Sequence, residues 1–317
     1  MLKVFSDNFS IEYKQHAMAA GHVGDLSIRN GFDGHVEVNF IAFLSQFNET
    51  YLIQVDTLFI DDNLKLEIQA ALQKKNTSVT VLCVASHSHS LPGIDTGKLL
   101  LGDINNEYRN FIKLKIIKNI INSTKRANAK NVLFSNIKQY SQLTIGRRGG
   151  YSEGNFSLLA LRNTVPDFKK IGANIEVTSL RDSKTHKIIS LIWTFPAHPV
   201  LYPNQEKFSS DFPGRVRDLL RERLKTPNLP VLYLPGCAGD MKSFIKSQTK
   251  NKKILDYIVG QPFVNCGFKD YKSYCNSLES ELYECIKKFK ISKNNELTSI
   301  NHKEIKIPLK VIGINNN

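Results

Sequence analysis

The chain has 317 residues, 41% of them apolar, so it is long enough to bury a large core as one α/β domain or as two smaller ones. Its formal net charge of +14 invites a nucleic-acid partner, but the lysines are spread along predicted helices, so we expect a solvated basic surface and no nucleic acid. Five cysteines without CxxC spacing argue against disulfides, and the lack of a signal peptide or of an apolar run of roughly 18 to 20 residues favours a cytoplasmic protein without a transmembrane segment.

Predicted strands and helices alternate along the first part of the chain. Residues 36–45 and 49–60 are rich in Val, Ile, Phe and Tyr and predict two strands. Residues 62–76 begin with Asp and Asn and carry apolar residues at helical spacing, which predicts a helix. The continuous apolar run at 79–86 is typical of a strand that is covered on both faces.

The same alternation continues towards the C-terminus. Further helices are predicted at 106–129, 209–226 and 278–290, and further strands at 131–140, 173–182, 187–198, 231–240 and 304–312. Residues 251–275 show no regular pattern. Because no repeat, low-complexity tract or linker divides the chain, we expect a single α/β domain over residues 1–317, with mixed β-sheets in layers flanked by helices.

Two histidines follow the third predicted strand. His87 and His89 are one residue apart, so a strand that continued through them would point both imidazoles to one side. Such a pair suits two metal ligands, or one ligand and one acid–base group, although surface or capping imidazoles are the commoner explanation. A second apolar strand also ends on a histidine, His198, and this coincidence favours a functional site.

Two other predicted loop tips carry residues suited to chemistry. The segment at 231–240, a predicted strand that ends in a loop, contains Gly236, Gly239 and Asp240, which suggest a tight turn with exposed backbone N–H groups. A glycine-rich segment carries Arg147 and Arg148. Functional residues of open α/β sheets collect at strand ends, where loops converge, so this set resembles an active site more than a core.

The order and wording of these segments resemble the neutral/alkaline, non-lysosomal ceramidases and their smaller bacterial relatives. The matching segments are, in chain order, IQVDTLFI, ASHSHSLPG, TIGRRGG, WTFPAHPV, SSDFPGRVRDLL and LPGCAGD. They lie between residues 36 and 243 and follow the family's order, which is more specific than any single motif.

The resemblance implies a zinc (Zn2+) site and amide hydrolysis. His87 and His198 match two histidine ligands of the zinc, and His89 matches a histidine that acts on the substrate beside the metal. Zinc lowers the pKa of a bound water towards about 7, which makes hydroxide available to attack an amide carbonyl at neutral pH. An imidazole such as His89 is suited to protonating the leaving amine.

The resemblance also implies an arginine that contacts the reacting amide. Arg147 is the nearest match, but Gly146 stands where the family has Asn, so Arg148 remains an alternative. Asp240 has two interpretations, as a catalytic base and as a turn former.

Two departures from the family pattern stand out. Lys242 occupies the place of the family's serine, and Ser243 stands one position later. The family completes its zinc site with a glutamate and a tyrosine from beyond the strand that resembles 304–312, where this sequence ends. We therefore expect a domain that lacks the family's C-terminal segment, with two of the zinc ligands not identifiable.

Other acidic residues and histidines have alternative interpretations. Asp56 is expected either to orient a ligand histidine or to form a strand-end turn. Asp211 is expected either to support the site or to cap the helix that follows it. The remaining histidines are expected at the surface: His16, His22, His35, His186 and His302.

The expected function is that of a zinc-dependent amidohydrolase of lipid metabolism, which cleaves the linear N-acyl amide bond of a lipid or an acylated amino sugar. The basic charge favours an anionic substrate and is compatible with contact to a membrane surface. The rival expectation is a non-catalytic or truncated protein of the same fold that binds a ligand or partner, since zinc held by only two histidines should bind weakly.

Overall fold

The computed structural model of the chain describes residues 2–13, 16–21, 27–73, 78–97, 104–126, 129–146, 172–239, 241–245, 266–290 and 295–301. These residues form two four-stranded sheets, two small two-stranded sheets and four helices. Among the described helices, none combines the length and the apolar character that crossing a membrane requires.

Twelve strands and four helices are present in the described part of the chain. The strands are β1 (Lys3–Ser10), β2 (His16–Met18), β3 (Ile28–Asn30), β4 (Glu37–Leu44), β5 (Asn48–Val55), β6 (Ser78–Ala85), β7 (Val132–Ser141), β8 (Thr144–Gly146), β9 (Ala173–Asp182), β10 (Ile188–Phe195), β11 (Val231–Pro235) and β12 (Met241–Ser243). The helices are α1 (Asp62–Leu72), α2 (Asn106–Arg126), α3 (Asp211–Leu224) and α4 (Phe268–Lys287).

The two large sheets share one strand arrangement. The first has the order β1-β4-β5-β6, and the second has the order β7-β9-β10-β11. In each sheet an antiparallel hairpin, β4–β5 or β9–β10, lies between an antiparallel edge strand and a parallel edge strand. The parallel strand follows a crossover through a helix, α1 in the first sheet and α3 in the second. The candidate site lies at the C-terminal ends of the parallel strands β6 and β11 and of their hairpin neighbours β5 and β10.

The two large sheets pack against each other, and helices cover their outer faces. The buried residues between the sheets are Val4, Ile41, Val132, Leu180 and Leu232. Helices α1 and α2 pack on the first sheet, while α3 and α4 pack on the second. The buried residues of α2 recur every four positions, the spacing of one helix face: Tyr108, Ile112, Ile116 and Ile120. The four layers, in the order α/β/β/α, confirm the expected layered α/β fold with mixed sheets.

Several predicted elements differ from the structure. The strand predicted at 49–60 ends at Val55, where the Asp56 carboxylate accepts the N–H of Glu37. The strand β6 lies at the edge of its sheet, and only Val79 and Val81 of its eight residues are buried, which is less than the expected continuous apolar strand implies. Helix α4 begins ten residues before the predicted start at 278, within the segment expected to be irregular, because Tyr271, Tyr274 and Cys275 extend its buried face. The strand predicted at 304–312 lies outside the described residues.

Candidate metal centre

The three candidate site histidines follow strands of the two large sheets. His87 and His89 come after β6, and His198 comes after β10. The strand β6 ends at Ala85, and His87 has a left-handed backbone with φ 65°, so the strand does not continue through the two histidines. The resulting turn nevertheless brings both imidazoles to the same point as His198.

The three imidazole rings form one compact cluster. A ring nitrogen from each of His87, His89 and His198 lies within 4.8 Å of those of the other two. The Nε2 atoms of His89 and His198 are 2.8 Å apart. The ring centre of His87 is 4.7 Å from that of His198 and 5.1 Å from that of His89. All three residues are half-buried, so a small ligand from solvent can reach them.

A backbone carbonyl orients each imidazole through its Nδ1 atom. The three Nδ1···O pairs are His87 with Leu58 at 3.1 Å, His89 with Gly21 at 3.1 Å, and His198 with Ala238 at 3.4 Å. Since a carbonyl oxygen can only accept a hydrogen bond, these contacts place the ring proton on Nδ1 and leave the lone pair on Nε2.

The converging Nε2 atoms fit a bound cation. Two Nε2 lone pairs 2.8 Å apart repel each other unless a shared proton or a cation lies between them. Burial lowers the pKa of His87, although the hydrogen bond to Leu58 acts in the opposite direction, so this ring is neutral at neutral pH. Neutral imidazoles are favoured ligands of zinc, and the donor set therefore suits that metal.

Gly21 permits the close approach that holds His89. Its φ is +92°, and a Cβ at this position would lie 2.3 Å from His89 Nδ1 and 2.8 Å from the side chain of Leu58. The neighbouring Ala20 N–H donates to Leu91 O, which ties this segment to the loop after His89. A residue larger than glycine would therefore displace the His89 ring.

Direct hydrogen bonds also join the two histidine loops. The backbone N–H of His89 donates to Pro199 O at 3.3 Å, and the Ser88 hydroxyl donates to Ser209 O at 2.8 Å. These bonds fix the loop from the first sheet against the loop from the second sheet.

The comparisons with known proteins concern the fold. The sequence matches no family model and no curated protein. The structure is similar to that of neutral ceramidase from Pseudomonas aeruginosa, with a TM-score of 0.66 and 15% identity over 90% of this chain. It is also similar to a ceramidase complexed with C2, with a TM-score of 0.67 and 15% identity over 90% of this chain.

The fold is ceramidase-like. The chain spans 45% of the first ceramidase chain and 44% of the second, which is less than half the length of each. At 15% identity the likeness extends to the fold alone.

The two acidic residues with alternative interpretations have separate roles in this ceramidase-like fold. The Asp56 carboxylate is fully buried and binds Gln54, Arg217 and the N–H of Glu37, while backbone carbonyls orient the histidines. Asp211 is the first residue of α3, and its carboxylate accepts the N–H groups of residues 201 and 202, in the loop after His198. Asp211 therefore ties the loop after His198 to the start of α3.

Three predicted catalytic residues, Arg147, Arg148 and Asp240, lie outside the described residues. The described residues next to them, Gly146 of β8 and Met241 of β12, are register partners. Met241 O accepts the backbone N–H of His198 at 3.1 Å, so both flanking strands lie beside the histidine cluster.

The position that differs from the ceramidase serine is buried. Lys242 has 6% of its surface exposed and Ser243 has 7%, and both belong to β12. Neither residue is among the three that form the histidine cluster.

The other described histidines are exposed, as expected: His16, His35 and His186. His22 and His302 lie outside the described residues. The residues that sequence reasoning missed are the three that orient the imidazoles through backbone carbonyls, namely Gly21, Leu58 and Ala238. A carbonyl has no side-chain signature, so only the glycine at position 21 offered a hint.

Proposed function

We propose that the chain is a zinc-dependent amidohydrolase of ceramidase-like fold, with His87 and His198 as zinc ligands. The observation that supports this most strongly is the convergence of three imidazoles whose Nδ1 atoms all face backbone carbonyls. Zinc in such a site supplies a Lewis acid and a water molecule whose pKa is lowered towards about 7.

His89 is proposed to move the proton. Its Nδ1 atom faces Gly21 O, so Nε2 is the atom that exchanges protons with the reactants. In this step His89 Nε2 accepts a proton from the water that attacks the carbonyl carbon, and then donates it to the leaving amine nitrogen as the amide C–N bond breaks. Arg147, or Arg148 in its place, is proposed to stabilise the negative charge on the carbonyl oxygen, a contribution on the order of 3 kcal/mol. Asp240 is retained as a candidate base.

The proposed substrate is a small N-acylated compound, a lipid or an acylated amino sugar, that is cleaved to a carboxylate and an amine. The formal net charge of +14 favours an anionic substrate and contact with an anionic membrane surface. The positive charge of the protein would attract an anionic substrate and an anionic membrane over a long range, and salt screens this attraction. Substrate cleavage should therefore weaken as ionic strength rises.

The test is an amine-release assay over ceramides, N-acetylated amino sugars and N-acyl amino acids, with added zinc. We expect the wild type to cleave at least one class, His87→Ala to lose both zinc and activity, and His89→Ala to lose about 10² to 10⁴ in rate with zinc retained. The exposed His186, in the β9–β10 turn, provides a matched control, and His186→Ala should retain full activity.

Two outcomes would revise the proposal. Loss of zinc from His89→Ala would make His89 a third ligand, which its place in the cluster allows, and would remove its acid–base role. A zinc-loaded wild type that cleaves none of the three classes would leave a binding protein of the same fold as the better explanation.

A further inference from the structure

Helix α3 belongs to the second half of the chain but contacts both the loop after His198 and the end of β5 in the first sheet. At its first residue, the Asp211 carboxylate accepts the N–H groups of Leu201 and Tyr202, at 2.8 and 3.1 Å, in the loop after His198. Six residues further along the helix, Arg217 reaches the end of β5 in the first sheet.

Arg217 forms a buried ion pair with Asp56. Its Nη1 donates to Asp56 Oδ2 at 2.9 Å, and its Nη2 donates to His35 O at 2.7 Å. Asp56 is fully buried, and Arg217 has 2% of its surface exposed. A buried charge pair of this kind holds its partners in one geometry, because any displacement leaves a charge without compensation.

The residues after Asp56 lead directly to the histidine cluster. Thr57 and Leu58 are also buried, and the carbonyl of Leu58 accepts from His87 Nδ1 at 3.1 Å. The Leu58 side chain packs against Gly21, whose carbonyl orients His89. One turn, residues 56–58, therefore supports two of the three imidazoles.

We propose that Arg217 is a positioning residue of the metal centre, which acts through Asp56 and the turn at residues 56–58 on the orientation of His87. The effect of Arg217 on catalysis rests on the proposed function. Its effect on the orientation of the His87 ring does not, because that orientation is a property of the metal-free protein.

Arg221 provides a matched control on the same helix. It is also buried, and it binds the Glu37 carboxylate with both terminal nitrogens at 2.9 Å and Leu229 O through Nε at 2.8 Å. None of its contacts among the described residues involves Asp56. Arg217 Nε also lies 3.5 Å from the Glu37 carboxylate, so both arginines share that partner, and only Arg217 contacts the Asp56 carboxylate. We therefore expect a lysine at 217, and not at 221, to loosen the turn that holds His87.

The experiment compares Arg217→Lys with Arg221→Lys by zinc affinity, measured against a chelator, and by imidazole 15N NMR of the metal-free proteins. We expect Arg217→Lys to weaken zinc binding roughly tenfold or more, the effect typical of residues that orient ligands, and to shift His87 away from the Nδ1–H tautomer. We expect Arg221→Lys to change zinc affinity less than twofold and to leave the tautomer as in wild type, even if both variants melt earlier.

Equal effects of the two variants on both readouts would overturn the positioning role. A wild type without zinc affinity would refute the proposed zinc site, but the 15N spectra would still decide whether Arg217 orients His87. If Arg217→Lys fails to fold, Asp56→Asn serves instead, because it removes the same ion pair from the other side and predicts the same tautomer shift.

Discussion

The two large sheets have the same strand arrangement but exchange roles where they reach the histidine cluster. In the first sheet, His87 follows the parallel strand β6, and the orienting carbonyl, Leu58, follows the hairpin strand β5. In the second sheet, His198 follows the hairpin strand β10, and the orienting carbonyl, Ala238, follows the parallel strand β11. In each sheet, one of two neighbouring parallel strands is followed by the imidazole, and the other is followed by the carbonyl that holds it. The imidazole follows the edge strand in the first sheet and the hairpin strand in the second.

The residues after the two hairpin strands β5 and β10 also differ in their burial and in the groups that they face. Asp56, directly after β5, is fully buried and paired with Arg217. His198, three residues after β10, is half-buried and faces the candidate centre. The first position therefore stabilises the fold, while the second is open for chemistry.

Alanine substitutions at Asp56 and His198 should differ the most in their effect on the free energy of unfolding. Asp56→Ala should lower the free energy of unfolding by about 3 to 5 kcal/mol, because it leaves the Arg217 charge buried beside fewer acceptors. His198→Ala should lower it by about 1 kcal/mol or less in metal-free protein, as expected for a half-buried side chain. Urea unfolding in the presence of a chelator measures the loss in free energy of unfolding for both variants. Similar losses would contradict the distinction between a structural role for Asp56 and a functional role for His198.

The crossover helices of the two sheets begin with acidic residues whose pKa values shift in opposite directions. Burial acts to raise the pKa of Asp61 at the start of α1, but hydrogen bonds from Thr96, Leu64 and Arg109 outweigh it and lower the pKa to about 2. Burial raises the pKa of Asp211 at the start of α3 to about 6, against hydrogen bonds from backbone N–H groups.

These shifts predict opposite pH dependences of stability. Asp61 stabilises the fold above about pH 4, and this contribution is lost as the pH falls towards 2. For Asp211 the protonated form is favoured in the fold, so stability falls by about 3 kcal/mol as the pH rises from about 4 past 6.

Unfolding of wild type, Asp61→Asn and Asp211→Asn between pH 2.5 and 8 separates the two groups. The deficit of Asp61→Asn relative to wild type should grow with pH up to about 5, while that of Asp211→Asn should shrink between about 4 and 7. Deficits that change in the same direction would remove the contrast between the two helix starts.

Much of the fold was predictable because its strands and helices carry strong apolar patterns. The strand predicted at 173–182 coincides with β9, and the helix predicted at 62–76 contains α1. The strand β1 was missed, since its sequence KVFSDNFS is dominated by polar residues. The shared arrangement of the two sheets was also not predictable, because it has no counterpart in a sequence repeat.

The candidate centre was predictable only in part. The histidines His87, His89 and His198 stood out because each follows an apolar strand, and the structure brings them together. The residues that hold them did not stand out. Backbone carbonyls carry no residue signature, and Arg217 resembles any basic residue of a surface helix until its buried partner Asp56 is known.

Alanine substitutions at two glycines with positive φ should differ the least in their effect on stability. Gly21 has φ +92° and a Cβ there would strike His89, whereas Gly31 has φ +73° and a Cβ there would meet no described atom within 4 Å. Gly31→Ala should cost about 1 kcal/mol from backbone strain alone. Gly21→Ala should cost about 1 kcal/mol more and also weaken zinc binding, and equal zinc affinities in the two variants would show that Gly21 does not position His89.

A calorimetric zinc titration of metal-free wild type, His87→Ala and His198→Ala measures whether both sheets contribute to one zinc site. We expect one zinc site per chain in the wild type and loss of measurable binding in either variant, because the first sheet provides His87 and the second provides His198. Zinc binding at wild-type affinity by either folded variant would contradict a metal centre shared by the two sheets.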